Sequence, residues 1–431
     1  MPEGNSLHSP VRQLGRLLAG KEVSRDADWE ALVAMASRYR LSPMLYWQCQ
    51  QQGTASGGTV REGASGSESC WACIPAVVWE RLRQHQFAAT AQTLVVEQQL
   101  AQVLDGLRSA EVPVVVLKGA ALAAFYPEPA LRTYKDLDLL VPEADLDRAE
   151  EAVRRLGYEC SKSREWALAQ HYHLPPLKGA GLQLDVELHW RLDEPQEAAR
   201  LPVDDLWQRA RPWAVAGQPT LRLEEVDLAL HLCQHAVMQH RGRQGPRPVC
   251  DLAQVVRGWQ PVQWQALAHR ALDYGLGPAV YLMLTLLEQL LGMAAAPAVM
   301  ETLRPAGSEP LPEDLLERLL PVEESLATHV PMALLRAESK GTVLARIKHL
   351  IGRLFPPREA MAAMYSVPVD SARVWLMFLW RPVDLLRQYG VAAWGVLWGS
   401  RTARAAWQRE AWLERWLAQT DPASGPDQRS A

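Results

Sequence analysis

Residues 114–141 have the sequence VVVLKGAALAAFYPEPALRTYKDLDLLV, whose pattern of strands and turns indicates the class of the fold. It opens with a short valine-rich run after Pro113, which is typical of a buried strand. Lys118-Gly119-Ala120 interrupts the run, and a short helix is predicted at 121–125, where two nearby prolines end it. A second strand follows at about 137–141. The stretch therefore predicts strand, glycine turn, short helix, loop and strand.

The segments on either side extend this unit. A long helix is predicted from Pro75 to Ala110, because its apolar residues recur on one face. A further helix is predicted from Glu143 to a stop at Gly157. Residues 182–190 alternate between apolar and polar side chains, which predicts a third strand. From about residue 220 onward the pattern is almost entirely helical.

These predictions define an α+β fold with a small mixed-sheet core, flanked by N-terminal helices and a mostly helical C-terminal half. We expect an N-terminal helical region at 1–84, the core at 85–215 and a helical domain at 216–431. A Gly/Ser-rich segment at 52–69 is predicted to be a flexible insertion. The chain length of 431 residues agrees with two or three compact units.

Composition excludes several classes of protein. With 45 basic and 49 acidic residues, the net charge of −4 does not favour duplex DNA as a partner. No apolar run approaches the roughly 20 residues that a membrane span needs, and residues 1–20 lack a secretory apolar region. Six cysteines are too few for a disulfide scaffold. A cytoplasmic protein without a membrane span is expected.

The most informative tripeptide is Asp136-Leu137-Asp138. On a strand, alternate side chains share a face, so both carboxylates point the same way and repel each other. A bound Mg²⁺ would remove this repulsion, since it prefers oxygen ligands. Glu187, or alternatively Asp185, lies on the polar face of the third strand and could complete a three-carboxylate cluster. Such a cluster can hold two ions about 3.5–4 Å apart.

Other polar residues near this strand could contact a ligand. The glycine of Lys118-Gly119 lets the backbone approach a phosphate closely, and Lys118 and Arg132 could neutralise phosphate charge. His189 shares a strand face with Glu187, so a position near the substrate is expected. His231 and His235 have helical i, i+4 spacing, which leaves three alternatives: a zinc pair, the lining of a cleft, or buried structural histidines.

Several segments together resemble a known family, the uncharacterised bacterial nucleotidyltransferases of the DNA polymerase β-like superfamily. The resemblance covers most of residues 28–395, and its most specific part is Lys118–Val141. The matching segments are VVVLKGAAL at 114–122, YPEPALRTYKDLDLLV at 126–141, LGY at 156–158, DVELHWRL at 185–192, HLCQH at 231–235, CDLA at 250–253 and LFPPREAM at 354–361.

The resemblance implies a reaction and a set of site residues. It implies transfer of a nucleoside monophosphate from a nucleoside triphosphate (NTP), with ATP the expected nucleotide, and release of pyrophosphate. The implied metal ligands and catalytic residues are Asp136, Asp138 and Glu187, with Asp185 as the second choice for the third position and with two Mg²⁺ ions expected. The expected nucleotide-binding residues are Lys118, Gly119, Ala120, Arg132 and His189, of which the resemblance matches Gly119 to the phosphate-loop glycine of the family.

The resemblance leaves the acceptor open: a small molecule, a protein or an RNA. One departure concerns the phosphate loop, where the wider superfamily has Gly-Ser or Gly-Gly and this chain has Gly119-Ala120, so that a serine hydroxyl is missing. Two further hypotheses therefore stand beside the enzyme. One is a non-catalytic nucleotide-binding or scaffold protein with a degenerate site. The other is a toxin-like nucleotidyltransferase that acts on tRNA or protein.

Overall fold

The structure is a computed structural model that describes thirteen parts of the chain, and the fold is built from these. Most of the Gly/Ser-rich insertion predicted at 52–69, from residue 56 onward, lies outside them. The described residues are 9–24, 26–55, 74–160, 164, 167–168, 171–181, 183–193, 201–306, 310–320, 351–352, 354–365, 367–397 and 401–419.

Four helices precede the sheet: α1 (Pro10–Leu18), α2 (Trp29–Arg38), α3 (Ser42–Ala55) and α4 (Ala76–Ser109). The long helix predicted at 75–110 is α4, and its buried face includes Val96, Leu100, Val103 and Leu107. This face packs on the sheet side of the molecule together with strand residues. Residue 84, at which the sequence divides the first two regions, lies inside α4.

A five-stranded mixed sheet forms the centre of the fold. Its strands are β1 (Val115–Val116), β2 (Asp136–Leu140), β3 (Asp185–His189), β4 (Arg211–Val215) and β5 (Gln218–Arg222), in the order β3-β2-β1-β5-β4. β2 pairs with β3 in parallel and with β1 in antiparallel orientation, and β1 pairs with β5 in parallel. The mixed α+β fold predicted from the sequence is therefore confirmed.

The β4–β5 hairpin was not predicted. Ala216 and Gly217 both have positive φ, 48° and 76°, which is the backbone conformation of a tight two-residue hairpin turn. β4 is an edge strand with a proline at position 212, and of its residues Trp213 and Val215 pack on the core, so its apolar alternation is too short to predict a strand. The sheet consequently continues beyond residue 215.

The remaining helices surround the sheet. The first of them begins at Lys118, three residues before the predicted start, because the chain turns directly from β1 into the helix. They are α5 (Lys118–Ala123), α6 (Leu146–Arg155), α7 (Val203–Arg209), α8 (Glu225–Gln234), α9 (Arg247–Val255), α10 (Pro261–Asp273), α11 (Gly277–Leu291), α12 (Pro297–Leu303), α13 (Leu315–Leu319), α14 (Arg358–Met364), α15 (Arg373–Leu397) and α16 (Arg401–Gln419).

Alternation along β2 separates two hydrophobic cores. Leu137 and Leu139 pack with α4 and α6, whereas Leu140 packs into a larger core made by the N-terminal and C-terminal helices. Asp136 and Asp138 lie on the same face of β2 as Leu140, so their carboxylates point toward the helical half of the molecule. Among the described helices, none is both long and apolar enough to cross a membrane.

Candidate active site

The parallel register of β2 and β3 brings the predicted acidic residues together. Asp138 lies opposite Glu187, Asp136 lies opposite Asp185, and Leu140 lies opposite His189. Because side chains two residues apart share a face, Glu187 and His189 project from β3 on the side on which Asp138 projects from β2. The strand pairing therefore places carboxylates from two segments, about fifty residues apart in sequence, beside each other.

Asp136, Asp138, Glu187 and His189 line a cleft of about 460 Å³ between the sheet and the helices. Both walls of the cleft are rich in charged and histidine side chains. The lining residues are Arg40, Lys118, Gly119, Leu122, Arg132, Tyr134, Lys135, Asp136, Asp138, Tyr172, His173, Glu187, His189, Leu232, His235, His240, Gln244, Arg247, Pro248 and Asp251. Of the predicted site residues, Ala120 and Asp185 are the two that do not line it.

Asp138, Glu187 and His189 have the geometry of a metal site. The Asp138 Oδ1 atom is 3.0 Å from His189 Nε2, which in turn is 3.7 Å from Glu187 Oε2. One potential ligand atom from each residue falls within 4.8 Å of the other two. Carboxylate oxygens suit Mg²⁺ and Mn²⁺, and imidazole nitrogen is a common transition-metal ligand. The donor set therefore fits a divalent cation.

The electrostatics of this cluster indicate unbalanced negative charge. Burial, followed by the charges of Asp138 and Glu187, raises the pKa of Asp136 to about 6. Burial opposes ionisation of Asp138 as well, but the nearby Lys118 and the hydrogen bond from His189 outweigh it and hold its pKa well below the usual range. Asp138 is thus firmly ionised, while ionisation of Asp136 is disfavoured, as expected where a cation would relieve repulsion.

Asp185, the second choice for the third acidic position, is placed outside the cleft. Asp185 is two residues from Glu187 and so lies on the same face of β3, but its carboxylate forms an ion pair with Lys178. This pair lies near the bridge between Leu177 and Val186, where an extended segment joins the outer edge of β3. Geometry therefore favours Glu187 over Asp185 as the third carboxylate.

Lys118 lies within the cluster. Its Nζ atom is 3.4 Å from Asp138 Oδ1 and 3.1 Å from His235 Nε2, and its backbone φ is +26°, which non-glycine residues rarely adopt. The ammonium can only donate hydrogen bonds, so His235 accepts through Nε2. Lys118 therefore neutralises Asp138 and links β1 to the helical half of the molecule.

Three histidines of the helical half, of which His231 and His235 were predicted, occupy different positions. His235 and His240 line the cleft, with their Nε2 atoms 3.1 Å apart across a π-helical turn at His235–Gln239. His231 is buried, neither of its ring nitrogens has a hydrogen-bond partner among the described residues, and burial lowers its pKa to about 3. Within the described part of the chain, the group with metal-ligand geometry includes none of these three. The lining and structural alternatives thus fit better than a zinc pair.

Arg132 lines the cleft, but its charge is already engaged. Its Nε and Nη2 atoms donate to the two carboxylate oxygens of Asp251 at 2.5 and 2.8 Å, and the Tyr126 hydroxyl donates to the same carboxylate at 2.7 Å. The pair is almost completely buried, with 11% and 3% of the two side chains exposed. It joins the loop before β2 to α9, so its first effect is to hold the two walls of the cleft together.

Gly119 and Ala120 have different surroundings. A Cβ atom added at Gly119 would lie 2.9 Å from Tyr134 Cγ, so the glycine allows α5 to pack closely against the residue that precedes Lys135 and β2. Ala120 is buried in the core formed with α4 and α6. Its methyl group therefore faces apolar neighbours rather than the cleft.

Several lining residues were not predicted. Arg247 belongs to a basic loop at 241–247 whose composition was a signal, and its Nη2 atom donates to the Thr133 carbonyl oxygen. Tyr172 and His173 stand beside His189, with the rings of His173 and His189 5.0 Å apart. Arg40 comes from the N-terminal helices, and nothing in its local sequence distinguishes it from a surface arginine.

Comparisons with known proteins identify the family of the chain. Residues 25–292, more than half of the chain, match the model of a family described as uncharacterised nucleotidyltransferase. No curated protein matches the chain. A similar solved structure is the solution structure of the antibiotic-resistance factor ANT(2'')-Ia, with 18% identity and a TM-score of 0.31 over 43% of this chain and 95% of the other. On the family match, the chain belongs to the uncharacterised nucleotidyltransferases.

Proposed function

We propose that the chain transfers a nucleoside monophosphate from an NTP to an acceptor hydroxyl, with pyrophosphate as the leaving group. The observation that carries this proposal is the pairing of β2 with β3, which sets Asp138 beside Glu187 and His189 in the cleft. Membership of the nucleotidyltransferase family supports the reaction type. The proposed nucleotide is ATP, and the acceptor is a small molecule, a protein or an RNA.

The proposal includes a divalent cation, Mg²⁺ in the first instance, held by Asp138 and Glu187 with Asp136 and His189 beside them. When bound, the cation neutralises charge on the phosphates and lowers the pKa of the acceptor hydroxyl. The raised pKa of Asp136 supports this assignment, because burial and then the charges of Asp138 and Glu187 disfavour its ionised form, which a bound cation would stabilise. Two ions, as the family resemblance implies, would draw on the same carboxylates.

The protein's own groups would bind and orient the reactants. Lys118 holds Asp138 ionised from one side, and Gly119 keeps α5 tight against Tyr134 beside the phosphates. The opposite wall, formed by His240, Gln244 and neighbouring residues of the helical half, is where we place the acceptor. Catalysis of this kind depends on positioning and charge neutralisation rather than on a covalent intermediate.

The test combines binding and product analysis. Calorimetry with MgATP measures nucleotide binding, and incubation with α-labelled NTPs plus a metabolite extract measures transfer. We expect Asp138→Asn and Glu187→Gln to abolish transfer. Asp185 lies on β3 like Glu187 but faces Lys178, so Asp185→Asn should retain transfer. Binding of MgATP without any labelled product would indicate the non-catalytic alternative. Transfer that survives Asp138→Asn would overturn the proposal.

A further inference from the structure

Arg40 lies at a backbone position that normally belongs to glycine. Helix α2 ends at Arg38, the Arg40 amide donates to the Ser37 carbonyl at 3.1 Å, and the Leu41 amide donates to the Ala36 carbonyl at 2.7 Å. These two bonds form a Schellman motif, whose left-handed residue is usually glycine. Arg40 occupies that position with φ +57°.

A left-handed arginine is unfavourable relative to glycine, because its Cβ atom approaches the following carbonyl group. Strain by itself does not indicate a function here. Helix α4 ends in the same motif, with Glu111 at the left-handed position, φ +54°, and an exposed side chain. What distinguishes Arg40 is the location of its side chain.

The Arg40 side chain points into the cleft. It is partly buried and lines the wall that also contains Asp136 and Arg132, the two charged residues with which it interacts most strongly. Within the described parts of the chain, its guanidinium has no hydrogen bond or ion pair. Burial lowers the pKa of Arg40, and the charge of Asp136 partly offsets this effect.

The turn that carries Arg40 is fixed against the helical half of the molecule. The neighbouring Tyr39 ring packs on Gly245, in the loop before α9, so closely that a Cβ atom at position 245 would overlap the ring. Gly245 itself has φ +64°. The N-terminal helices therefore do more than cover the core, because they supply a cation to the cleft at a defined place.

Two other cations near Asp136 are already paired. Lys118 lies against Asp138, and Arg132 is held by Asp251 in a bidentate pair. Arg40 is thus a planar, partly desolvated guanidinium, free to form two parallel hydrogen bonds. Phosphate oxygens are the ligands that this geometry suits, since a guanidinium binds them in bidentate fashion.

We infer that Arg40 binds the terminal phosphates of the nucleotide and so selects a triphosphate over a monophosphate. This inference rests on the proposed function and assigns a specificity residue to it from outside the sheet core. The side of the cleft decides between nucleotide and acceptor. The Tyr39 ring packs on Gly245, next to the acceptor wall, but the Arg40 guanidinium interacts with Asp136 and so lies on the metal side of the cleft.

The first test measures the affinities of MgATP, MgADP and AMP by calorimetry on the full chain. We expect Arg40→Gln to weaken MgATP binding about tenfold or more, as for the loss of a charge-assisted bidentate contact, and to leave AMP binding almost unchanged. Arg38→Gln is the matched control, because Arg38 is exposed on the preceding turn. Equal losses for MgATP and AMP, or no loss for MgATP, would overturn the inference.

A second pair of variants separates phosphate binding from folding. Arg40→Gly and Glu111→Gly both place glycine at a left-handed position, so both should raise the thermal midpoint of unfolding. Only Arg40→Gly should lose affinity for MgATP. If both variants bind MgATP like the wild type, Arg40 does not bind phosphate. If the wild-type protein binds no nucleotide at all, the proposed function itself fails, and this inference fails with it.

Discussion

The buried pair between Arg132 and Asp251 should contribute more to stability than any exposed ion pair of this protein. Asp251→Asn keeps the shape of the side chain and removes its charge. The carboxylate accepts hydrogen bonds of 2.5 and 2.8 Å from two guanidinium nitrogens and of 2.7 Å from the Tyr126 hydroxyl. Asparagine has one acceptor oxygen in place of two, so it cannot accept both guanidinium hydrogen bonds in the same bidentate geometry. The buried Arg132 would then keep its charge without a counterion.

The expected magnitude follows from this burial. Breaking a buried pair by removing one partner costs about 3–5 kcal/mol, and we take about 3 kcal/mol for Asp251→Asn because some hydrogen bonding survives. For an m-value of about 3 kcal/mol/M, the urea midpoint would fall by about 1 M. The chain contains 17 tryptophans, so intrinsic fluorescence can follow the unfolding.

The control is Arg155→Met, which removes an arginine from an exposed pair. Arg155 and Glu151 have side chains that are 73% and 56% exposed, so we expect a change of less than about 0.5 kcal/mol. A change of that same small size for Asp251→Asn would refute the conclusion that the pair holds the two walls of the cleft together.

Three further predictions concern the site and its support. Gly119→Ala should destabilise the protein by about 1–3 kcal/mol in urea denaturation, because the added Cβ atom would crowd Tyr134. Gly352→Ala is the control, since no atom lies within 4 Å of a Cβ added there. Equal effects of the two substitutions would contradict the close packing of Gly119 on Tyr134. His231 has a folded-state pKa of about 3 against an ordinary value of 6.5, so its contribution to stability is present above pH 6.5 and is lost as the pH falls toward 3. His231→Leu should therefore reduce the fall in the free energy of unfolding between pH 6.5 and 4, by about 2 kcal/mol at pH 5 relative to wild type. Parallel curves of unfolding free energy against pH for the two proteins would show that His231 does not titrate this way. His189→Gln should weaken Mn²⁺ binding at least about tenfold in electron paramagnetic resonance titrations, since His189 is either a ligand or a direct neighbour of the ligands, and an unchanged affinity would remove it from the site.

The hydrophobic pattern within single segments predicted the strands and helices whose formation depends on local sequence. The buried run at β1 and the alternation in β2 and β3 follow from which faces are buried, so Asp136 and Asp138 could be placed on one face in advance. The family resemblance favoured Glu187, and the register of β3 against β2 agrees with that choice. The β4–β5 hairpin escaped prediction because an exposed edge strand carries little apolar alternation.

The contacts that complete the cleft join distant segments, and local sequence carries no information about them. Arg132 and Asp251 are separated by 119 positions, so nothing near Arg132 indicates that its charge is compensated. Arg40 enters the cleft only because Tyr39 packs on Gly245, more than two hundred residues later. Such placements depend on how the N-terminal helices and the helical C-terminal half pack on the sheet, which hydrophobic periodicity does not specify.

The central claim is that this cleft transfers a nucleotidyl group, and the fate of two labels tests it most directly. ATP labelled at the α-phosphate and ATP labelled at the γ-phosphate are each incubated with the protein, Mg²⁺ and a metabolite extract. We expect the α-label to enter the acceptor while the γ-label leaves as pyrophosphate, in equal amounts, and we expect Asp138→Asn to abolish both. Appearance of the γ-label in the acceptor would show phosphoryl transfer and would exclude nucleotidyl transfer.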